Sequence, residues 1–152
     1  MKSVLIAIDD TKGSKTVLPA FLKLFSCARP EKIILLHVQQ FGGRSALHYI
    51  SDTDWSVLKE VIEGSEIKLA MDRKSNDILG AAKKFLEDNG ITGVETVIKT
   101  GYAAEEVLST AKEESAEMII MGSRGKRMHT LLLGSISREV ANNSEIPVLL
   151  VR

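Results

Sequence analysis

The residues best suited to chemistry are glycines and cations near the C-terminus. Gly122-Ser123-Arg124-Gly125 follows an apolar run, and Gly134-Ser135 stands further on, at the head of a helix-like pattern. Glycine lets a backbone approach a ligand closely, a turn bares amide N–H groups, and a helix N-terminus carries partial positive charge. Arg124, Lys126, Arg127 and His129 form the one dense basic cluster of the chain. Strand, glycines, cations and helix start in that order suit a phosphate group. The same residues also read as two surface turns with a solvated basic loop, or as a contact for an acidic partner.

Asp9 closes the first apolar run. A carboxylate there can accept from donors on a ligand, and equally from its own backbone as a turn cap. His37 lies inside an apolar run and is expected to be a satisfied core group rather than a ligand or base. Three histidines, Cys27 and scattered carboxylates show no metal-ligand spacing, so an intrinsic zinc site is not expected. Magnesium arriving with nucleotide phosphates is compatible with the same residues. There is no nucleophile elbow, no Ser-His-Asp arrangement and no P-loop, so no catalytic residue is assigned. Slow ATP hydrolysis by phosphate positioning with a metal stays open as an alternative.

These residues need elements to hold them. At 152 residues, 44% hydrophobic and 26% charged, the chain is expected to form one ordinary globular domain over 1–152. Twenty basic residues balance twenty acidic ones, leaving no overall field to gather nucleic acid or an anionic membrane. Any anion site must be built locally. Val4 to Ile8 is too short for a secretory segment and ends in Asp9-Asp10, so a cytoplasmic protein is expected. Cys27 is expected to be a buried thiol on the last turn of an apolar helix.

Five strand-length runs punctuate the chain: Ser3 to Ile8, Lys32 to Val38, Val94 to Ile98, Glu117 to Met121 and Pro147 to Val151. Four are nearly continuous in apolar residues, as parallel strands buried on both faces require, while Val94 to Ile98 alternates and belongs at an edge. Helical periods lie between them, at Val17 to Ala28, Ala104 to Ala111 and Ile136 to Ala141. Trp55 to Leu86 outlines one longer helix, with a candidate break near Gly64 and a stop at Asn89-Gly90. Strand and helix alternate, which predicts a doubly wound α/β fold with a five-stranded parallel sheet and helices on both faces. Gln39 to Thr53, with His48 and Tyr49, has no period and reads as a loop, either a cover over a site or a variable insertion. In such a sheet ligands gather at the carboxyl ends of the strands, where Asp9, Val38, Gly101 and Gly122 fall.

Five pieces of the chain together resemble the universal stress protein family. They are Val4 to Asp9, Leu35-Leu36-His37-Val38, Gly101 followed by Glu105-Glu106, Met118 to Gly125, and Leu132-Leu133-Gly134-Ser135 through to Val151. The resemblance implies strand order 3-2-1-4-5 in an adenine nucleotide alpha hydrolase-like fold and, in one branch, an ATP or AMP site. By position it implies Asp9 beside adenine or ribose, Val38 offering main-chain bonds to adenine, and Gly122, Gly125, Gly134 and Ser135 around ribose and phosphates. Gly101 permits close approach, and Arg124 clamps phosphate. A stress-related regulatory or protective role is implied, and so is a homodimer through the edge strand 147–151. Two departures bear on the site. Eight residues separate Gly125 from Gly134 where the binding branch has nine, and Asp10-Thr11 stands where Gly-Ser is usual, adding a negative charge that a lysine or metal must offset. Ala103 replaces a usual proline and Glu117 a usual aspartate. The alternative is a dimeric interaction module that binds no nucleotide.

Overall fold

Strands buried on both faces need apolar side chains at consecutive positions, and the two central runs supply them: Val4, Leu5, Ile6, Ile33, Ile34, Leu35 and Leu36 are all fully buried. A computed structural model of the chain describes residues 1–40, 51–123 and 133–152. Its strands are β1 (Ser3–Ala7), β2 (Lys32–Gln39), β3 (Val94–Thr100), β4 (Ile119–Gly122) and β5 (Val148–Val151). All pairings are parallel and the order is β3-β2-β1-β4-β5. The alternating run Val94 to Ile98 is the edge strand its pattern predicts.

Five helices complete the described chain: α1 (Lys12–Leu24), α2 (Asp52–Ile62), α3 (Glu66–Asp88), α4 (Ala103–Glu113) and α5 (Ser135–Asn143). Successive strand residues point to opposite faces, and the core divides accordingly. Val4, Ile6, Ile33, Leu35 and Ile120 pack with Val17 and Phe21 of α1 and with Leu79 and Leu86 of α3. Leu5, Ile34, Leu36 and Ile119 pack with Val107 of α4 and Val140 of α5. Each such side chain contributes about 1.5–3 kcal/mol by leaving water. A slip of one residue in β1 would exchange the two sets, so burial fixes the register.

The candidate break near Gly64 divides the long helical stretch in two: Gly64 takes φ +78°, and the Ser65 hydroxyl accepts from the Lys68 amide at 3.2 Å, starting α3 afresh. One expectation needs correction. The Cys27 thiol is exposed rather than buried. The apolar stripe of α1 closes where the Phe25 ring stacks on Phe21, 5.0 Å between centroids, and the helix has already ended at Leu24. The segment expected as a loop, Gln39 to Thr53, is shorter at both ends: Gln39 pairs with Thr100 as the last residue of β2, and Asp52 and Thr53 open α2; residues 41–50, with His48 and Tyr49, lie outside the described residues.

The start of β3 depends on Gly93. Its φ is +71°, a Cβ there would sit 2.4 Å from the Glu31 carbonyl oxygen, and its own carbonyl accepts from Ile33 N at 2.9 Å. Gly93→Ala should cost about 3 kcal/mol, through strain and backbone clash together. Denaturant unfolding of the variant beside the parent protein measures this loss; a change below half that size would show the β2–β3 entry to be more pliable than drawn.

Candidate functional site

β1 and β4 are neighbours, with Leu5 N donating to Met118 O at 2.9 Å. The chain leaves β1 for α1 on one face, whereas α5, reached from β4, covers the other. Where adjacent parallel strands diverge in this way, a crevice opens at their carboxyl ends. Asp9 stands on one side of it and Gly122, the last residue of β4, on the other. Asp9 serves as a turn cap: its Oδ1 accepts from Thr11 N at 2.8 Å and Thr11 Oγ1 at 2.6 Å, and its amide donates to Ser14 Oγ at 2.7 Å. Both of these bonds from Thr11, among the described residues, fall on the same carboxylate oxygen. Asp10 is ion-paired with Lys74 of α3 at 2.5 Å, so a lysine does offset the second charge.

Across the crevice the two ends of the glycine segment are pinned together. Gly134 N donates to Ser123 O at 2.8 Å, and the buried Ser137 hydroxyl lies 3.0 Å from both the Ser123 and the Gly134 carbonyl oxygens. Ser123 N in turn donates to Val151 O at 2.7 Å, fastening the junction to β5. Gly134 is the N-cap of α5 and supplies no side-chain cap, and no acidic residue occupies the first turn. The first amides of α5 therefore have no acceptor within the helix, and the exposed Ser135 hydroxyl stands beside them. Ser123 is only 6% exposed, yet its Oγ has no hydrogen-bond partner among the described residues. An orphaned buried hydroxyl and bared helix amides at one junction are a donor set suited to phosphate or ribose oxygens.

Val38 lies one strand further along. Leu36 O accepts from Ile8 N at 2.9 Å, so the even-numbered peptides of β2 face β1 while odd ones face β3, where Gln39 O accepts from Gly101 N at 3.0 Å. Val38 consequently turns its main-chain N–H and C=O toward β1's side just where β1 has ended. The Ile8 carbonyl is taken up by His37, whose Nδ1 donates to it at 2.9 Å. His37 is thus the satisfied group its context predicts.

Among the described residues the structure gathers Asp9, Gly122, Gly134 and Ser135 at the β1/β4 divergence, with Val38 adjacent. Gly101 stands apart at the end of edge strand β3, where a Cβ would meet Glu106 Oε1 at 2.5 Å. What approaches Gly101 closely is therefore the Glu106 side chain. A cleft of about 360 Å³ opens beside it, between Ile62, Lys68, Thr100 and Glu106, away from the divergence. Arg124 and Gly125, with Lys126, Arg127 and His129, lie outside the described residues.

Two residues at the site, Ser137 and Lys74, have no place among the sequence-based expectations, and a third, Gln39, stands there only as the first residue of a loop. Ser137 had a local signal, a hydroxyl three residues past a glycine N-cap. Lys74 and Gln39 had none, since their partners are remote in sequence. Gln39 is 2% exposed and its amide joins α3 to β3, donating through Nε2 to Asp72 Oδ1 at 2.8 Å and Ser75 Oγ at 2.9 Å and accepting from Thr100 Oγ1 at 3.0 Å.

The universal stress protein family model matches residues 1–152. The chain is 32% identical to the universal stress protein MJ0577 of Methanocaldococcus jannaschii, over 99% of this chain and 94% of that one. It is 33% identical to YxiE of Bacillus subtilis, over 98% and 97%. The solved MJ0577 structure superposes with a TM-score of 0.76 at 30% identity, covering 99% and 94% of the two chains. A family protein from Arabidopsis thaliana crystallised with AMP bound shares the fold at a TM-score of 0.68 and 21% identity, covering 99% and 91%.

The hydrogen bond from Gln39, followed by that from Lys68, holds the Asp72 carboxyl below its ordinary value of 3.8. A depressed folded value means that the carboxylate contributes stability above pH 3.8, and that this contribution is lost as pH falls through the folded value. Asp72→Asn should accordingly be less stable than the parent at pH 7, with the two converging as pH falls below 3.8 and through the folded value. Urea melts across that range check the sign; a gap that persists in acid would place the effect in packing instead of charge.

Proposed function

We propose, on the premise that this chain belongs to the universal stress protein family, that it binds an adenine nucleotide, ATP or AMP, at the C-terminal rim of the sheet. The observation that carries the reading is the α5 start pinned to the end of β4, with the orphaned Ser123 hydroxyl at the junction. The AMP carried by the Arabidopsis relative supports it. In this reading the Asp9 carboxylate accepts from ribose or the adenine amino group, and the Val38 peptide pairs with the adenine edge. Gly122, Gly125, Gly134 and Ser135 surround ribose and phosphates, Arg124 adds charge to the phosphates, and magnesium enters with ATP. Lys74 keeps Asp10 from repelling the phosphates. The role is that of a regulatory or protective binding protein of the cytoplasm, with no catalytic residue assigned.

Titration calorimetry of protein stripped of carried-over ligand, with ATP, ADP and AMP and with or without magnesium, tests this directly. Adenine nucleotides should bind, and Ser135→Ala should weaken ATP and AMP about tenfold while leaving adenosine unchanged, the loss expected for one charge-assisted hydrogen bond. A stripped protein that takes up none of the three leaves only the interaction-module reading.

The β5 edge favours a homodimer under either reading. Val148 to Val151 are all half-buried at the sheet's edge, and Pro147 O and Val151 O accept from Ile119 N and Ser123 N. The odd-numbered peptides therefore face β4 and those of Val148 and Leu150 face outward, open to a second copy. Val148→Pro removes an outward N–H without breaking a β4 bond. Sedimentation at micromolar concentration should show the parent as a dimer and the variant as a monomer; a monomeric parent removes the dimer.

A further inference from the structure

We propose that Gln39 is a positioning residue that sets the choice of adenine over guanine, an inference that rests on the nucleotide reading and deepens it. Base choice by a main-chain edge requires a rigid peptide. A strand end with a neighbour on one side only is a poor place to find one. β2 continues past the end of β1: the register stops at Ala7 opposite Leu36, while β2 runs on to Gln39. Val38 thus lies beyond the support of β1.

Gln39 supplies the missing support. A single planar peptide joins the two residues, so the Val38 carbonyl points toward β1's side while the Gln39 N–H points toward β3. Fixing Gln39 therefore fixes the direction of the Val38 carbonyl. It is fixed by four bonds: Nε2 to Asp72 Oδ1 at 2.8 Å, Nε2 to Ser75 Oγ at 2.9 Å, Oε1 from Thr100 Oγ1 at 3.0 Å, and its carbonyl from Gly101 N at 3.0 Å. The network is closed at its far ends. Ser75 Oγ donates to Met71 O at 2.8 Å, and Asp72 is ion-paired with Lys68. Asp72 can only accept, so the Gln39 amide has one workable orientation, and with Gln39 2% and Ser75 1% exposed, water offers little competition.

Adenine presents an amino donor at position 6, where guanine presents a carbonyl acceptor. A Val38 carbonyl held toward the base welcomes the first and repels the second. Loosening it lets the peptide turn and accommodate either, so the ratio of ATP to GTP affinity reports the positioning.

The experiment measures ATP and GTP dissociation constants for stripped parent protein, Gln39→Met, Thr100→Val and Ser135→Ala. The parent should prefer ATP. Gln39→Met, of similar volume without the amide, should shrink that preference about tenfold, and Thr100→Val, which removes one donor to Gln39, about threefold. Ser135→Ala should weaken both nucleotides equally, leaving the ratio intact, which separates base positioning from general loss of binding. A folded Gln39→Met with the parent's ratio overturns the proposal while the nucleotide reading stands. Should Gln39→Met fail to fold, Thr100→Val decides alone, and an unchanged ratio there is equally fatal. A parent that binds no ATP overturns the nucleotide reading itself.

Discussion

Two neighbouring parallel strands whose chains depart to opposite faces leave a gap beyond their ends that no strand among the described residues fills, and the rest of the described structure is arranged around that gap. Between β1 and β4 the pairing is regular, Leu5 to Ile119 through Ala7 to Met121. Past Ala7 and Gly122 nothing in the sheet continues it. The groups that line the rim are those a sheet normally consumes in its own bonds: strand-end peptides, first-turn amides of a helix, a hydroxyl without a partner. Their availability follows from topology, so the fold leaves these groups at the rim before any particular side chain refines their placement.

Refinement falls to α3 more than its distance in sequence from the glycine segment suggests. Its Lys74 holds Asp10 on the β1 side, and Asp72 and Ser75 hold Gln39 at the end of β2. One helix thus braces the ends of both β1 and β2, while Tyr102, whose hydroxyl donates to Glu139 at 2.6 Å, and Ser137 brace α5 beside β4. Burying an amide such as Gln39 without partners would cost about 1–3 kcal/mol. With all its polar groups occupied the cost vanishes and rigidity remains.

The legible parts of the sequence were those governed by local rules. Continuous apolar runs gave the buried strands, alternation at Val94 to Ile98 gave the edge, and Asn89-Gly90 marked the helix stop, because burial and left-handed backbone leave their signs within a few residues. Asp9, Gly122, Gly134 and Ser135 could be picked out for the same reason, being strand ends and a helix start. Cys27 was misplaced because the apolar period suggested another turn of α1, whereas the stack of Phe25 on Phe21 already completes the buried face. The close approach expected at Gly101 is made by the Glu106 side chain, and nothing local in the sequence shows that Glu106, one turn into the next helix, folds back over it. The roles of Gln39 and Lys74 were invisible because their partners lie 33–61 and 64 residues away, and only the closed sheet brings them together.

The shortened glycine spacing turns on the same distinction between local pattern and closed structure. Removing one residue from a connection of about ten changes its closure entropy by only about 0.1 kcal/mol. The bonds that pin its ends, Gly134 N to Ser123 O and the Ser137 hydroxyl to the same carbonyl, contribute about 1 kcal/mol each. The ends are therefore placed by their own contacts and by the packing of Val140 against Ile119 and Leu5, and the connection has to span whatever distance those contacts set. Spacing between glycines is a reliable guide to an anion site only where the chain between them sets the geometry. Here the first turn of α5 is held by hydrogen bonds to the end of β4, so its placement follows from those bonds rather than from the number of residues between the glycines.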